Sequence, residues 1–179
     1  MQTPPGLSIS LSVNAEATQL ILKLGLQPLP REGGFFASTW LSADRTAGGR
    51  PTGSGILFLI TPEGFSALHR LKTDETWHYH AGDPAELALL DPANGRVSRV
   101  VLGPDVLGSH RPFAVAPAGV WQGARILPGD PGRGWSLFSC TMSPAWDERE
   151  FELGDRSELS RVFPTETALV HALTRADVF

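Results

Sequence analysis

A chain of 179 residues with 41% hydrophobic side chains has the composition of a globular domain, with enough length for a real core. The net charge of −4 comes from interspersed acidic and basic residues with no basic stripe, which speaks against a nucleic-acid partner. No uncharged apolar run is long enough to span a bilayer, and MQTPPGLSISLSV at the start lacks the basic flank and apolar core of a signal peptide. The single cysteine, Cys140, excludes an intramolecular disulfide framework, and its strand-like neighbours WSLFSCTM suit a buried, inert thiol. A cytoplasmic protein with no membrane partner is the expectation.

In chain order, SVNAEATQLILKLGLQPLP reads as one amphipathic helix with Ala17, Leu20, Ile21 and Leu24 on its apolar side. Ser12 or Asn14 can cap its start, Gly25 suits its end, and Pro28 forbids continuation. From Gly33 to about Ser143 the signals are those of strands and turns. GILFLI (55–60) is a β-rich run buried on both faces. ELALL and RVSRVVL flank DPANG, a hairpin loop; FAVAP and WSLFSCTM are further short strands. Gly and Pro recur at intervals of roughly ten residues, the rhythm of an all-β sandwich or barrel. SADRTAGGRPTGSG (42–55) is polar and Gly-rich and reads as a mobile loop between two strands. After Trp146 the chain turns helical: Asp155 and Glu158 resemble a capping box, Pro164 breaks that helix, and TETALVHALTR starts another with Leu169, Val170 and Leu173 inward. PAWDEREFELGD reads as a solvated return over the outside, with Asp147, Glu148 and Glu150 on its surface.

The densest patch of chemistry is HRLKTDETWHYHAGD, 69–83, which holds three of the 5 histidines and the only tyrosine. It aligns without a gap to the first motif of the cupin superfamily, with His69, Leu71, Glu75 and Gly82 at the motif positions. PAGVWQ resembles the second motif and supplies Pro117, Gly119 and Gln122. The flanking words REGGFF, GFSALHR, DETWHYHAGDP, PAGVWQGA and FELGDRSEL are similar to a cupin branch without an assigned function that resembles the dTDP-sugar epimerases in fold. The match runs from about Ala15 to Thr174. It departs at Ala37 and Ser38, where relatives carry an Arg and a Glu.

The resemblance implies an all-β, double-stranded β-helix, a jelly-roll barrel with an N-terminal helix and short C-terminal helices. It implies one domain over 1–179, with lead-in 1–28, barrel 29–150 and helical tail 151–179, and a homodimer. Residues two apart in a strand share a face. With the cupin pattern, His69, Leu71, Glu75, Trp77 and Tyr79 then face the barrel interior, and Gln122 approaches the same point from an opposing strand. His78 and His80 face outward, unless the alternation breaks at TDE and one swings in. Arg70 also faces outward, with a structural ion pair as its default role.

Three readings of the interior follow. A full cupin metal site has three imidazoles and one carboxylate; here His69 and Glu75 remain, and Leu71 and Gln122 replace the others. His69, Glu75 and Gln122 are the ligand set if a divalent metal is present, but Leu cannot ligate and a neutral amide oxygen suits zinc, copper or iron poorly. The expectation is therefore that no cofactor is required. In the second reading His69, Glu75 and Tyr79 are catalytic, a proton-transfer set in a poorly hydrated interior lined by Trp77, Trp121 and Trp40. Trp77, Trp121 and Gln122 would contact a small polar metabolite, such as a sugar or nucleotide sugar undergoing isomerisation or epimerisation. In the third, His69, Glu75 and Gln122 are simply a satisfied buried polar cluster, since an unpaired buried group costs about 1–3 kcal/mol. A weak-metal lyase or dioxygenase and a non-catalytic binding module are the competing functions.

Overall fold

The computed structural model describes residues 13–127, 129 and 131–175. Helix α1 (Ala15–Leu24) opens it. Asn14 caps it by accepting from the Ala17 amide at 2.9 Å, and Ser12, the alternative cap, lies outside the described residues. Gly25 ends it in the left-handed region at φ 63°, which costs an L side chain but not Gly.

Among the described residues eleven strands follow: β1 (Gln27–Pro28), β2 (Phe35–Leu41), β3 (Ser54–Ile60), β4 (Ser66–Arg70), β5 (Glu75–Gly82), β6 (Ala85–Leu90), β7 (Val97–Leu102), β8 (Phe113–Ala116), β9 (Trp121–Ile126), β10 (Ser136–Met142) and β11 (Glu152–Leu153). Helices α2 (Arg156–Val162) and α3 (Thr167–Ala172) close the described chain. Asp155 caps α2 from the Glu158 amide at 2.7 Å, as the capping-box reading expects. The strands form two antiparallel sheets, in the orders β1-β2-β3-β10-β5-β8 and β11-β4-β9-β6-β7. They face each other as the jelly-roll barrel that the resemblance implies.

The period-2 pattern sorts the core into three layers. Phe58, Ile60, Trp77, Leu87, Ala124 and Phe138 meet between the sheets. On β3 the alternate residues Leu57 and Leu59 face the other way, onto Ala17 and Ile21 of α1. GILFLI is apolar throughout because both of its faces are covered, and each fully buried Leu or Ile there contributes roughly 1.5–3 kcal/mol. Outside the second sheet, Leu68, Ala88, Leu90 and Trp121 pack under Leu159, Leu169, Val170 and Leu173 of the C-terminal helices.

One loop differs from expectation. Residues 42–53 are not an unstructured connection but an extension of the β2–β3 hairpin. Ser42 N donates to Gly53 O at 2.9 Å, Thr52 N to Asp44 O at 2.9 Å and Thr46 N to Arg50 O at 2.8 Å, with Arg45 bridging Pro51. Polarity there marks an exposed ladder whose backbone groups pair with each other. At the other end of the barrel Gly82 has φ 102°, and a Cβ would lie 2.9 Å from Ser136 Cα, so β5 turns there only as glycine. Among the described residues no helix is long and apolar enough to cross a membrane.

Candidate functional site

A cavity of about 420 Å³ opens between the two sheets. β4 brings His69 to it, β5 brings Glu75 and Trp77, and Leu71 follows from the connecting loop. His69 and Gln122 are directly opposed partners on β4 and β9, whereas Glu75 and Trp77 belong to the facing sheet. Two hydrogen bonds therefore cross the barrel. Trp77 Nε1 donates to Gln122 Oε1 at 2.8 Å, and Gln122 Nε2 donates to Glu75 Oε2 at 2.7 Å. An indole N–H can only donate, so it fixes which end of the amide is oxygen. The amide's NH₂ must then face Glu75, whose Oε2 must accept. The chain holds the carboxylate in one orientation.

His69 is 2% exposed, and its Nδ1 donates to Ala67 O at 2.9 Å. That leaves Nε2, which lies 3.8 Å from Glu75 Oε2, an ion-pair distance rather than a hydrogen bond. Nδ1 also lies 3.9 Å from Glu32 Oε1. Burial alone would lower the pKa of His69, but the negative charges of Glu32 and Glu75 outweigh it and raise it to about 9. His69 is thus an imidazolium at neutral pH. Burial in turn raises the pKa of Glu32, opposed by the charge of His69. The Phe151 ring stacks on the imidazole at 5.3 Å and 21°.

Glu32 is a site residue that the sequence reading missed, although REGGFF contains it. Its carboxylate accepts from Ser66 Oγ at 2.7 Å. Its backbone carbonyl accepts from Ala67 N at 2.9 Å, which ties the loop to β4 two residues before His69. The double glycine that follows permits this approach: Gly34 has φ 71°, and a Cβ there would lie 2.7 Å from the Phe58 ring. The turn is what the motif encodes, and the acid rides on it.

The segment read as a solvated return is also corrected. Trp146, Glu148 and Phe151 line the cavity. Ala145 N donates to Pro51 O at 3.0 Å, Trp146 N donates to Ser54 Oγ at 2.9 Å, and Arg50 pairs with Glu150 at 2.9 Å. The segment is thereby fastened to the β2–β3 hairpin, with Trp146, Glu148 and Phe151 at the opening. The aromatic residues of PAWDEREF were the available signal.

Other expected residues lie elsewhere. Tyr79 faces inward and packs on Phe138, but its hydroxyl donates to Gly82 O at 2.7 Å and is absent from the cavity lining. Four residues of strand separate it from Glu75, about 13 Å at the usual rise. Burial and the nearby Asp83 raise its pKa. Trp121 adjoins Gln122 on one strand, so it takes the opposite face, beneath the C-terminal helices and under the Arg70 guanidinium at 4.5 Å. Trp40 is 52% exposed and outside the lining. Gln122 stands behind Glu75, not on the cavity surface. His78 and His80 do face outward, His80 bonded to Ser139 Oγ at 2.7 Å and His78 beside Phe113. Arg70 makes the expected ion pair, to Glu152 at 2.8 Å. Cys140 is buried against the cavity, and burial raises its thiol pKa further.

The donor set does not fit a cupin metal. Leu71 has no donor atom, and both ends of the Gln122 amide are already hydrogen-bonded. His69 offers only Nε2, since its Nδ1 donates to Ala67 O, so with Glu75 the cavity presents two strong donors where a full cupin site has four. Among the described residues no group of three or more His, Cys, Asp or Glu side chains is arranged to hold a metal ion.

Comparison with known proteins supports the scaffold. A hypothetical protein from Leishmania major is 34% identical, with 88% of this chain and 98% of that one covered and a TM-score of 0.79. A protein from Shewanella oneidensis is 31% identical over 91% of this chain and 98% of its own, with a TM-score of 0.81. A cupin 2 domain-containing protein from Halorhodospira halophila shares the fold at 18% identity, over 83% of this chain and 88% of its own, with a TM-score of 0.53. No functionally curated protein matches the chain. The family model described as Cupin superfamily (DUF985) matches residues 18–154, and the chain belongs to that family.

Proposed function

We propose that the barrel cavity binds a small molecule and that His69 and Glu75 transfer protons to and from it without a metal, in an isomerase- or epimerase-type reaction. The observation that carries this reading is the pairing of an oriented acceptor with a donor that faces it from the opposite sheet of the same cavity. Gln122 and Trp77 orient the Glu75 carboxylate, and Glu32 keeps His69 charged 3.8 Å from it. A charged imidazole facing an oriented carboxylate suits general acid–base work.

The chemistry balances with these two groups alone. Glu75 accepts a proton from the carbon next to a substrate carbonyl. His69 gives its Nε2 proton to the carbonyl oxygen, and an enol forms. Epimerisation follows when the enol turns its other face to Glu75 before the proton returns. Where the carbon also carries a hydroxyl, the intermediate is an enediol, and return of the proton to the former carbonyl carbon, with the second hydroxyl proton passing to His69, isomerises the substrate. His69 recovers its proton as the carbonyl re-forms. A buried, aromatic-lined cavity keeps water from competing for those protons.

The test needs no known substrate. A neutral metabolite extract is incubated with protein in deuterated water and surveyed by mass spectrometry. The expected result is deuterium gained by a small set of compounds with wild-type protein, unaffected by EDTA and lost with Glu75→Gln. Labelling that is absent, or equal in the variant, contradicts acid–base catalysis. Labelling abolished by EDTA and restored by a divalent ion would favour the weak-metal reading.

A further inference from the structure

We infer that this cavity takes an uncharged molecule with an apolar body and one carbonyl- or hydroxyl-bearing end, rather than an anionic nucleotide sugar. The inference rests on the proposed use of the cavity as a ligand site and adds the class of ligand.

The wall is apolar over most of its extent. Leu29, Phe36, Ile56, Phe58, Leu71 and Trp77 supply it, and polar groups are confined to a few places. A sugar presents hydroxyls on every side and needs partners around its whole rim. Here a ligand finds the His69 and Glu75 end, then aliphatic and aromatic surface. A ligand that buries an apolar body gains roughly 25 cal/mol for each Å² taken from water, and a polyol would leave hydroxyls unpaired against that wall.

Charge decides against an anion. The lining carries the carboxylates Glu32, Glu75 and Glu148 and only two basic side chains, His69 and Arg31. The His69 charge is already faced by Glu75 at 3.8 Å and Glu32 at 3.9 Å. The Arg31 guanidinium lies over the Phe151 ring at 4.9 Å. The neighbouring arginines are committed: Arg50 to Glu150 at 2.9 Å, Arg70 to Glu152 at 2.8 Å, and Arg175 to Phe65 O at 2.8 Å. A diphosphate is held by charge-assisted bonds from several free cations, and this opening does not supply them. An ammonium fares no better, because at the inner end it meets the imidazolium.

Three probes of one shape test this: 2-phenylethanol, phenylacetate and phenethylamine, with UDP-glucose as the nucleotide sugar. Affinities are measured at pH 7 by calorimetry, and methyl NMR shifts of Ile56 and Leu71 report the place of binding. The expected order puts 2-phenylethanol first, with phenylacetate at least about tenfold weaker, since a carboxylate enters among carboxylates. UDP-glucose is expected to move neither methyl. Glu148→Gln, at an exposed position of the lining, is expected to tighten phenylacetate several-fold relative to 2-phenylethanol. Phenylacetate or phenethylamine binding tightest, or UDP-glucose shifting both methyls, would overturn the inference and leave the cavity as a ligand site. Binding of 2-phenylethanol with no deuterium gained by any compound of the metabolite extract keeps the ligand class and removes the proton-transfer reading. No binding by any probe removes both the ligand class and the ligand site.

Discussion

Strand β5 carries His78 and His80 on one face and Glu75 with Trp77 on the other, and the two faces meet opposite surroundings. Inside, Glu75 and Trp77 are locked by Gln122, and across the cavity His69 lies between two carboxylates that raise its pKa to about 9. Outside, His78 and His80 alternate with them along the same strand. Burial and then the neighbouring His78 lower the pKa of His80, and its partners are the hydroxyl of Ser139 and solvent. Strand alternation assigns the faces, but residue type alone does not set the charge of each ring. What separates them is which charges the fold brings opposite each ring. His69, facing carboxylates, holds its proton more firmly than a free imidazole, whereas His80, partly buried and beside a second imidazole, holds its own less firmly.

The contrast can be broken most severely at its inner end. His69→Ala leaves Glu32 and Glu75 buried without their cation. A loss of about 3–5 kcal/mol is expected in urea unfolding at pH 7, with partial recovery at acidic pH as Glu32, whose pKa is raised, takes a proton. Loss below 1 kcal/mol would mean that the cluster is not charged as described.

The pH profile of the wild-type protein sharpens the same point. The folded-state pKa of His69 lies above its ordinary 6.5, so its contribution is complete below that value and disappears as pH rises through about 9. Up to about 3 kcal/mol of stability is expected to go between those limits, and His69→Gln is expected to flatten that part of the curve. His80, shifted the other way, carries the opposite sign: its contribution is lost as pH falls below its ordinary range.

Gln122→Leu tests the orienting chain. It leaves the Trp77 N–H and one Glu75 oxygen without partners, so about 1–3 kcal/mol of stability is expected to be lost, together with any isotope exchange. The smallest effect belongs to the outer face. His78→Ala and His80→Ala are each expected to change stability by no more than about 0.5 kcal/mol and to leave exchange intact.

Much of this arrangement was legible in the residues because it repeats with period two. His69, Glu75, Trp77 and Gln122 fell into place from strand alternation and the two short motifs, and α1 from its apolar spacing and its caps. Failures came where distance or direction along a strand mattered more than the pattern. Tyr79 lies on the correct face but too far along, and Trp121 lies next to a site residue and therefore on the wrong face. Glu32 and Phe151 were hidden for another reason. They reach His69 from loops far away in sequence, one turned by a double glycine and the other pinned through Arg50 and Ser54, and no periodicity marks such approaches. The loop at 42–53 was misread because polar, Gly-rich sequence describes an exposed ladder as well as an unstructured loop.

The central claim is that His69 stands as a cation between two carboxylates in an apolar cavity. The most direct measurement is the titration of its ring by nitrogen-15 NMR, in wild-type protein and in Glu32→Gln. The expected result is a midpoint near 9 that falls toward the ordinary value of 6.5 in the variant. A wild-type midpoint at or below 6.5 would make His69 a neutral core histidine and contradict the account.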